Sequence, residues 1–387
     1  MINSIKLNNY IMKKLLFILI LSTNITSAQW VQKTSCNKKA AQISNEAIES
    51  MANLEYLTAL GMAKAALIID SDCGCAQLTI AAISGSNPDW GSQKTKLKAI
   101  DIAKLSAEES AWYDVLMSSP ENKKAVLKSA IAMNPKSPIL NYLATSPTDM
   151  KTYSGFAEKF PEQAASSYNM MSYGYLRGDF GETNQDMAMN YVNKSQKLHN
   201  GPNSYDSMAE HYASLGDYEK AFELQLKAVD FAAFGSPYGN LARVYFAKIN
   251  QDELSKNLMK IQREAQDAIT SQDYKTFSKY EHPEITHTTG DSNLSPFYEF
   301  NESSFEGDQG ITWDRLDMND MKVNYSPDMK TAVLTFYGSG SYTFNQTKEK
   351  VAYSTRGSSV WVNTTDGWKI MHSSWAPNKD GVGIPQQ

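Results

Sequence analysis

Three cysteines in 387 residues are too few for a disulfide framework, and thirteen prolines are too few for a stalk. Nor is there an excess of positive charge: 37 Lys and Arg stand against 42 Asp and Glu, a formal net charge of −5. Phosphate recognition rests on clustered Lys and Arg, so no nucleic-acid partner is expected. Long apolar runs are missing apart from one near the N-terminus, which excludes a multi-span membrane protein. What the chain does contain is 42% hydrophobic and 11% aromatic residues, enough to build cores and too apolar for intrinsic disorder. At roughly 100–200 residues per domain, two or three domains are implied.

Met12-Lys13-Lys14, an apolar run over 15–21 and a polar stretch ending at Ala28 follow the order of a secretory signal peptide. Thr26-x-Ala28 suits cleavage before Gln29. The expectation is an exported protein, periplasmic or secreted, whose residues 1–28 are removed and whose mature form has no transmembrane span. Cys36 lies too far downstream to act as a lipoprotein cysteine. Export places the chain where disulfides form. Cys73-Gly74-Cys75 lacks CxxC spacing, and no second Cys/His pair sits at zinc-like spacing. A local bridge or two free thiols is therefore expected, with no metal and no cofactor.

The middle of the chain repeats itself. Over 203–237, Ala209, Tyr212, Gly216, Tyr218, Ala221 and Ala228 occupy the positions that a helix–turn–helix unit needs. Small residues let two helices approach, aromatics fill the gap, and Gly216-Asp217 ends the first helix. Gly178-Asp179-Phe180 echoes Gly216-Asp217-Tyr218, and Leu241-Ala242 with Tyr245 echoes Met208-Ala209 with Tyr212. Ala59 and Ala66, then Ala130 before Pro135, mark further second helices. Pro135, Pro138, Pro147 and Pro161 break the stretch between into short pieces. The segment 203–237 resembles a tetratricopeptide repeat, and the resemblance implies an all-α helical solenoid over 29–254. Such a solenoid presents a groove for a protein or peptide partner. Asp206 and Glu210 in one repeat, and Arg243 and Phe246 in the next, are the candidate groove residues. The Lys and Asn of repeats that clamp a C-terminal carboxylate are not at these positions.

After Ser255 the pattern changes. Leu258, Ile261, Ala265, Ala268 and Ile269 form one helical face, and from about Ile285 the period moves towards two. Four strand-like runs, 320–325, 331–342, 350–363 and 368–375, are separated by turn signals, among them Thr365-Asp366-Gly367. A helix followed by a sheet that ends in Arg356-Gly-Ser-Ser-Val-Trp361 and Asp366-Gly-Trp-Lys-Ile-Met-His372 resembles the SnoaL-like branch of the nuclear-transport-factor-two-like superfamily. That superfamily includes the association domain of calcium/calmodulin-dependent kinase. The resemblance covers 255–377 and implies an α+β cone: a helix packed on a curved antiparallel sheet, with a pocket at the wide end. Residues 378–387 read as a flexible tail. Ser374 stands where many relatives have a second His.

Strict alternation puts Trp368, Ile370, His372 and Ser374 on one strand face, taken as lining the pocket together with Arg356. Asp317 or Glu299 is the candidate carboxylate for that Arg. Acid–base chemistry is open to His287 and His372 with Glu284 or Asp317. The stretch Glu281-His282-Pro283-Glu284-Ile285-Thr286-His287 is not HExxH, and Pro283 prevents a helical metal face. The favoured reading is therefore a binding or scaffold protein: a groove for a peptide or protein, and a cone for a small molecule or for homodimerisation. The alternative is an isomerase-, cyclase- or dehydratase-type enzyme recruited by the repeats.

Overall fold

The computed structural model describes residues 29–85, 92–231, 238–282, 287–289 and 297–378. The expected signal peptide, Glu284 and the tail from 379 lie outside these residues. Two compact units result, Met1–Gly239 and Asn240–Gln387. The expected boundary near 255 lies fifteen residues beyond this division. No helix among the described residues is long and apolar enough to cross a membrane.

The first unit is helical. Its helices are α1 (Lys38–Ala52), α2 (Tyr56–Ile69), α3 (Gly74–Ser84), α4 (Gln93–Lys98), α5 (Ala107–Met117) and α6 (Pro120–Met133). They continue as α7 (Pro138–Tyr142), α8 (Met150–Lys159), α9 (Ala165–Arg177), α10 (Gln185–Leu198), α11 (Pro202–Ser214) and α12 (Tyr218–Phe231). Consecutive helices pair, α1 on α2, α9 on α10 and α11 on α12. Ala209, Ala221 and Ala228 are fully buried, as close helix approach requires. The two Gly-Asp turns are the same device. Gly178 and Gly216 take φ of 82° and 81°, and the next residue's N–H returns to a carbonyl five back, Asp179 to Gly174 and Asp217 to Tyr212. This closure uses the left-handed backbone that glycine adopts without strain.

Trp30, Ile48, Leu78, Leu97, Trp112, Ile139 and Leu140 are fully buried in the core of this unit. Each such side chain contributes roughly 1.5–3 kcal/mol of burial. Trp30 is held at both ends: its N–H donates to Asn45 Oδ1 (2.7 Å) and its indole to Glu49 Oε2 (2.6 Å).

The cysteines differ from expectation. Cys36 is bonded to Cys73 across a separation of 37 residues, and Cys75 is a buried free thiol. Glu109 organises the spot. It closes a capping box with Ser106 at the start of α5 and accepts from the N–H groups of Ser35 and Cys75. Those bonds draw the segment that carries Cys36 up against α3. Position 36 thus meets 73, while residues two apart at the start of a helix diverge.

The second unit begins with α13 (Tyr238–Ile249), which starts two residues earlier, then α14 (Gln251–Thr270) and α15 (Tyr274–Phe277). Strands β1 (His287–Thr289) and β2 (Phe297–Glu299) are short; β3 (Ile311–Tyr325), β4 (Thr331–Phe344), β5 (Lys350–Thr364) and β6 (Gly367–Pro377) are long. Their order in one sheet is β2-β1-β6-β5-β4-β3, antiparallel except for β1 beside β6. The expected helix face is the one that packs. Leu258, Ala265 and Ala268 share a core with Met318, Leu334, Phe336, Trp361 and Ile370. β3 starts nine residues earlier than its alternation suggested. Register breaks between Trp313 and Arg315 and between Asn319 and Lys322 scramble its period.

Candidate functional site

A cavity of about 750 Å³ lies between α14, α15 and the face of the sheet that packs on α14. Its floor is amide and hydroxyl. Gln262 and Gln266, four apart on α14, point with the apolar stripe and are buried to 3% and 6% exposure. The Trp361 indole donates to Gln262 Oε1 (2.9 Å), which orients that amide and leaves its N–H donors for the cavity. Opposite them, Ser359 Oγ is buried and has no hydrogen-bond partner among the described residues. Aromatic rings form the walls. Phe277, Phe300 and Phe305 touch one another on one side, with centroids 5.2–5.3 Å apart. Trp313 and Tyr353 meet edge-on at 4.9 Å on the other.

The charged groups lining the cavity sit at its edge. Asp267 is exposed, Asp314 accepts from Ser341 (3.0 Å) and Thr343 (3.1 Å), and Arg315 pairs with Asp317. The Tyr280 phenol, which donates to Glu264 (2.5 Å), braces α14 against the segment after α15. Its pKa is pushed up to about 12 by burial and by Glu264.

The sheet corrects the expected pocket face. Val360 pairs with His372 but Trp361 pairs with Ile370, so Met371 is an extra residue, a β-bulge. Trp368 and Ile370 point inward. Beyond the bulge the parity flips, and Ser373 and Trp375 line the cavity while His372 falls on the outer face. Arg356 is exposed on that same outer face, because its neighbours Thr355 and Gly357 are the buried ones. Being solvated, it needs no buried carboxylate. Asp317, on β3, is engaged with Arg315 instead. Trp368 packs in the core beside Tyr325 and is not part of the cavity wall. In the backbone register, His287 on β1 is level with His372 on β6 and with Glu299 on β2. Gln262, Gln266 and Ser359 were missed, although two amides on an otherwise apolar helical stripe are a readable signal.

The groove candidates separate into two sets. Asp206 and Glu210 lie half-buried on α11, where Asp206 accepts from Gln225 (2.7 Å) and Glu210 from the Tyr173 phenol. Arg243 and Phe246 are exposed on α13 in the other unit, and Arg243 donates to the Asp328 carbonyl (3.0 Å). Burial, together with the charge of Glu210, raises the Asp206 pKa from 3.8 to about 6. A folded pKa above the unfolded one gives stability that is full below about 3.8 and is lost as pH rises through about 6. Asp206→Asn keeps the bond to Gln225 and removes that loss. The variant is expected to be about 1–2 kcal/mol more stable than the parent at pH 8 and equal to it near pH 4. Urea midpoints of the helical transition at the two pH values check this.

No protein-family model and no curated protein matches the chain. Solved structures do. The association domain of CaMKII from C. elegans is similar at 15% identity and a TM-score of 0.28, covering 32% of this chain and 96% of that one. An NTF2-like superfamily protein from Salmonella enterica is similar at 16% identity and 0.29, covering 35% and 99%. An NTF2-like protein of unknown function in nutrient uptake from Rhodospirillum rubrum follows at 13% and 0.26, covering 31% and 96%.

Proposed function

We propose that this is an exported binding protein. Its C-terminal unit is read as a SnoaL-like cone that holds a small, uncharged, partly aromatic or aliphatic molecule bearing hydrogen-bonding groups. Its helical unit is read as a tetratricopeptide-type solenoid that engages a peptide or protein. The observation that carries the cone reading is the buried Ser359 hydroxyl, unpartnered among the described residues, beside an amide fixed by Trp361. A few placed polar groups between apolar walls is the usual construction of a small-molecule site. The enzymatic alternative draws less support: the titratable Asp267 is at the rim, and His372 faces away from the cavity. Self-association through the outer sheet face is a second reading, favoured by Val333 and Tyr337, 40% and 47% exposed there. The disulfide supports an oxidising location.

Thermal-shift screening of neutral metabolites against the full chain tests the cone reading. At about a hundredfold excess over Kd, a true ligand raises the Tm by roughly 5 °C. Ser373→Trp, which fills the cavity, is expected to abolish the shift, and Arg356→Ala to leave it intact. Failure of every compound, or a shift that survives Ser373→Trp, overturns the reading.

A further inference from the structure

Among the described residues, the two acids on α11 have no counter-ion. Asp206 and Glu210 are one helical turn apart, so their carboxylates share a face. Neither forms an ion pair with Lys, Arg or His among the described residues; their partners are neutral, Gln225 and Tyr173. Helices do not ordinarily retain two half-buried like charges side by side without a cation.

A second observation points the same way. Gln225 is fully buried on α12, and its Nε2 donates to both Asp206 Oδ1 (2.7 Å) and the Tyr238 carbonyl (3.2 Å). Those two donations fix the amide. Its Oε1 is left beside the Asp206 carboxylate with no partner among the described residues. A buried carbonyl oxygen without a donor is costly. Asp206 thus carries a neighbouring carboxylate on its own helix face and the Gln225 amide against it, and of these acceptors Gln225 Oε1 is the one left without a donor among the described residues. An ammonium or guanidinium supplies several N–H donors and the compensating charge at once.

We infer that the Asp206–Glu210–Gln225 cluster is the site where a Lys or Arg side chain of a bound peptide is recognised. The inference rests on the reading of the helical unit as a peptide-binding surface. Extended peptides in grooves draw affinity from their backbone and specificity from individual side-chain sites, and this cluster is such a specificity site.

The test uses the full chain and fluorescein-labelled Gly/Ser nonapeptides with one central Lys, Arg or norleucine, titrated by anisotropy. The expected result is a preference of about tenfold or more for Lys or Arg over norleucine. Asp206→Asn with Glu210→Gln, isosteric changes that retain the bonds to Gln225 and Tyr173, should erase the preference. Glu219→Gln, at an exposed acid on α12, should keep it. Equal binding of all three peptides overturns the cation site and leaves the groove reading standing. No binding of any peptide overturns both. A fourth arm with 1,4-diaminobutane separates the sources: if it binds through the two acids while the peptides show no preference, the ligand is a free amine and the peptide assignment falls. A preference that persists in the double variant also overturns the proposal.

Discussion

Gly340→Val is expected to destabilise the C-terminal unit by about 3 kcal/mol or more, enough to leave a marginal sheet largely unfolded. A Cβ at Gly340 would come within 1.9 Å of the Arg315 carbonyl oxygen and 2.8 Å of its carbon. The obstacle is backbone, which cannot rotate away as a side chain can. The contact is close because β3 bulges at Asp314, pressing Arg315 and Leu316 towards β4, where Leu316 pairs with Gly340. Asp314 holds that bulge in place through Ser341, Thr343 and Lys350, the last at 3.4 Å. The substitution therefore forces either the bulge or the β3–β4 register to give way, and register loss would turn side chains to the wrong face. Urea unfolding of the full chain followed by tryptophan fluorescence reads the loss. Gly307→Ala, where nothing lies within 4 Å of the added carbon but φ is 81°, is expected to cost only about 1 kcal/mol.

The second large effect is at Trp361. This side chain is fully buried, sits in the core with Leu258 and Leu334, and meets Tyr280 edge-on at 6.3 Å. Trp361→Ala is expected to cost about 3–5 kcal/mol through lost burial and the cavity left behind. Trp361→Phe separates packing from hydrogen bonding. Most of the ring stays, but Gln262 Oε1 loses its donor, at a cost of about 1–3 kcal/mol. The freed amide can then turn, so the phenylalanine variant should also bind cavity ligands more weakly than its stability alone would suggest. Equal ligand affinity in Trp361→Phe and the parent would show that the Gln262 orientation does not matter to binding.

What could be read from the residues divides along physical lines. Periodicity that survives folding was legible: the α14 face of Leu258, Ala265 and Ala268 packs on the sheet as its 3.6-residue spacing implied. The Gly-Asp turns were legible because glycine at a left-handed position has a specific cause. Bulges were not. A strand's alternation assigns faces only while each residue has one partner, and Met371 breaks that condition just before His372. One inserted residue moved His372 to the outer face and brought Ser373 and Trp375 to the cavity. The same cause hid the first half of β3. Cysteine pairing was also beyond reach, since Cys36 meets Cys73 through contacts that Glu109 makes from a third segment. Arg356 sits on a strand between Thr355 and Gly357, both buried, and that alternation turns it outward.

The proposed ligand site is the cavity beneath α14, not the outer face of the sheet. Its most direct measurement is a ¹H–¹⁵N spectrum of the full chain, labelled in Gln and Arg side chains, titrated with a compound that raises the Tm. Saturable shifts of the Gln262 and Gln266 side-chain amides are expected, with Arg356 Nε unmoved. Shifts confined to Arg356, with both cavity amides unchanged at saturation, would contradict it.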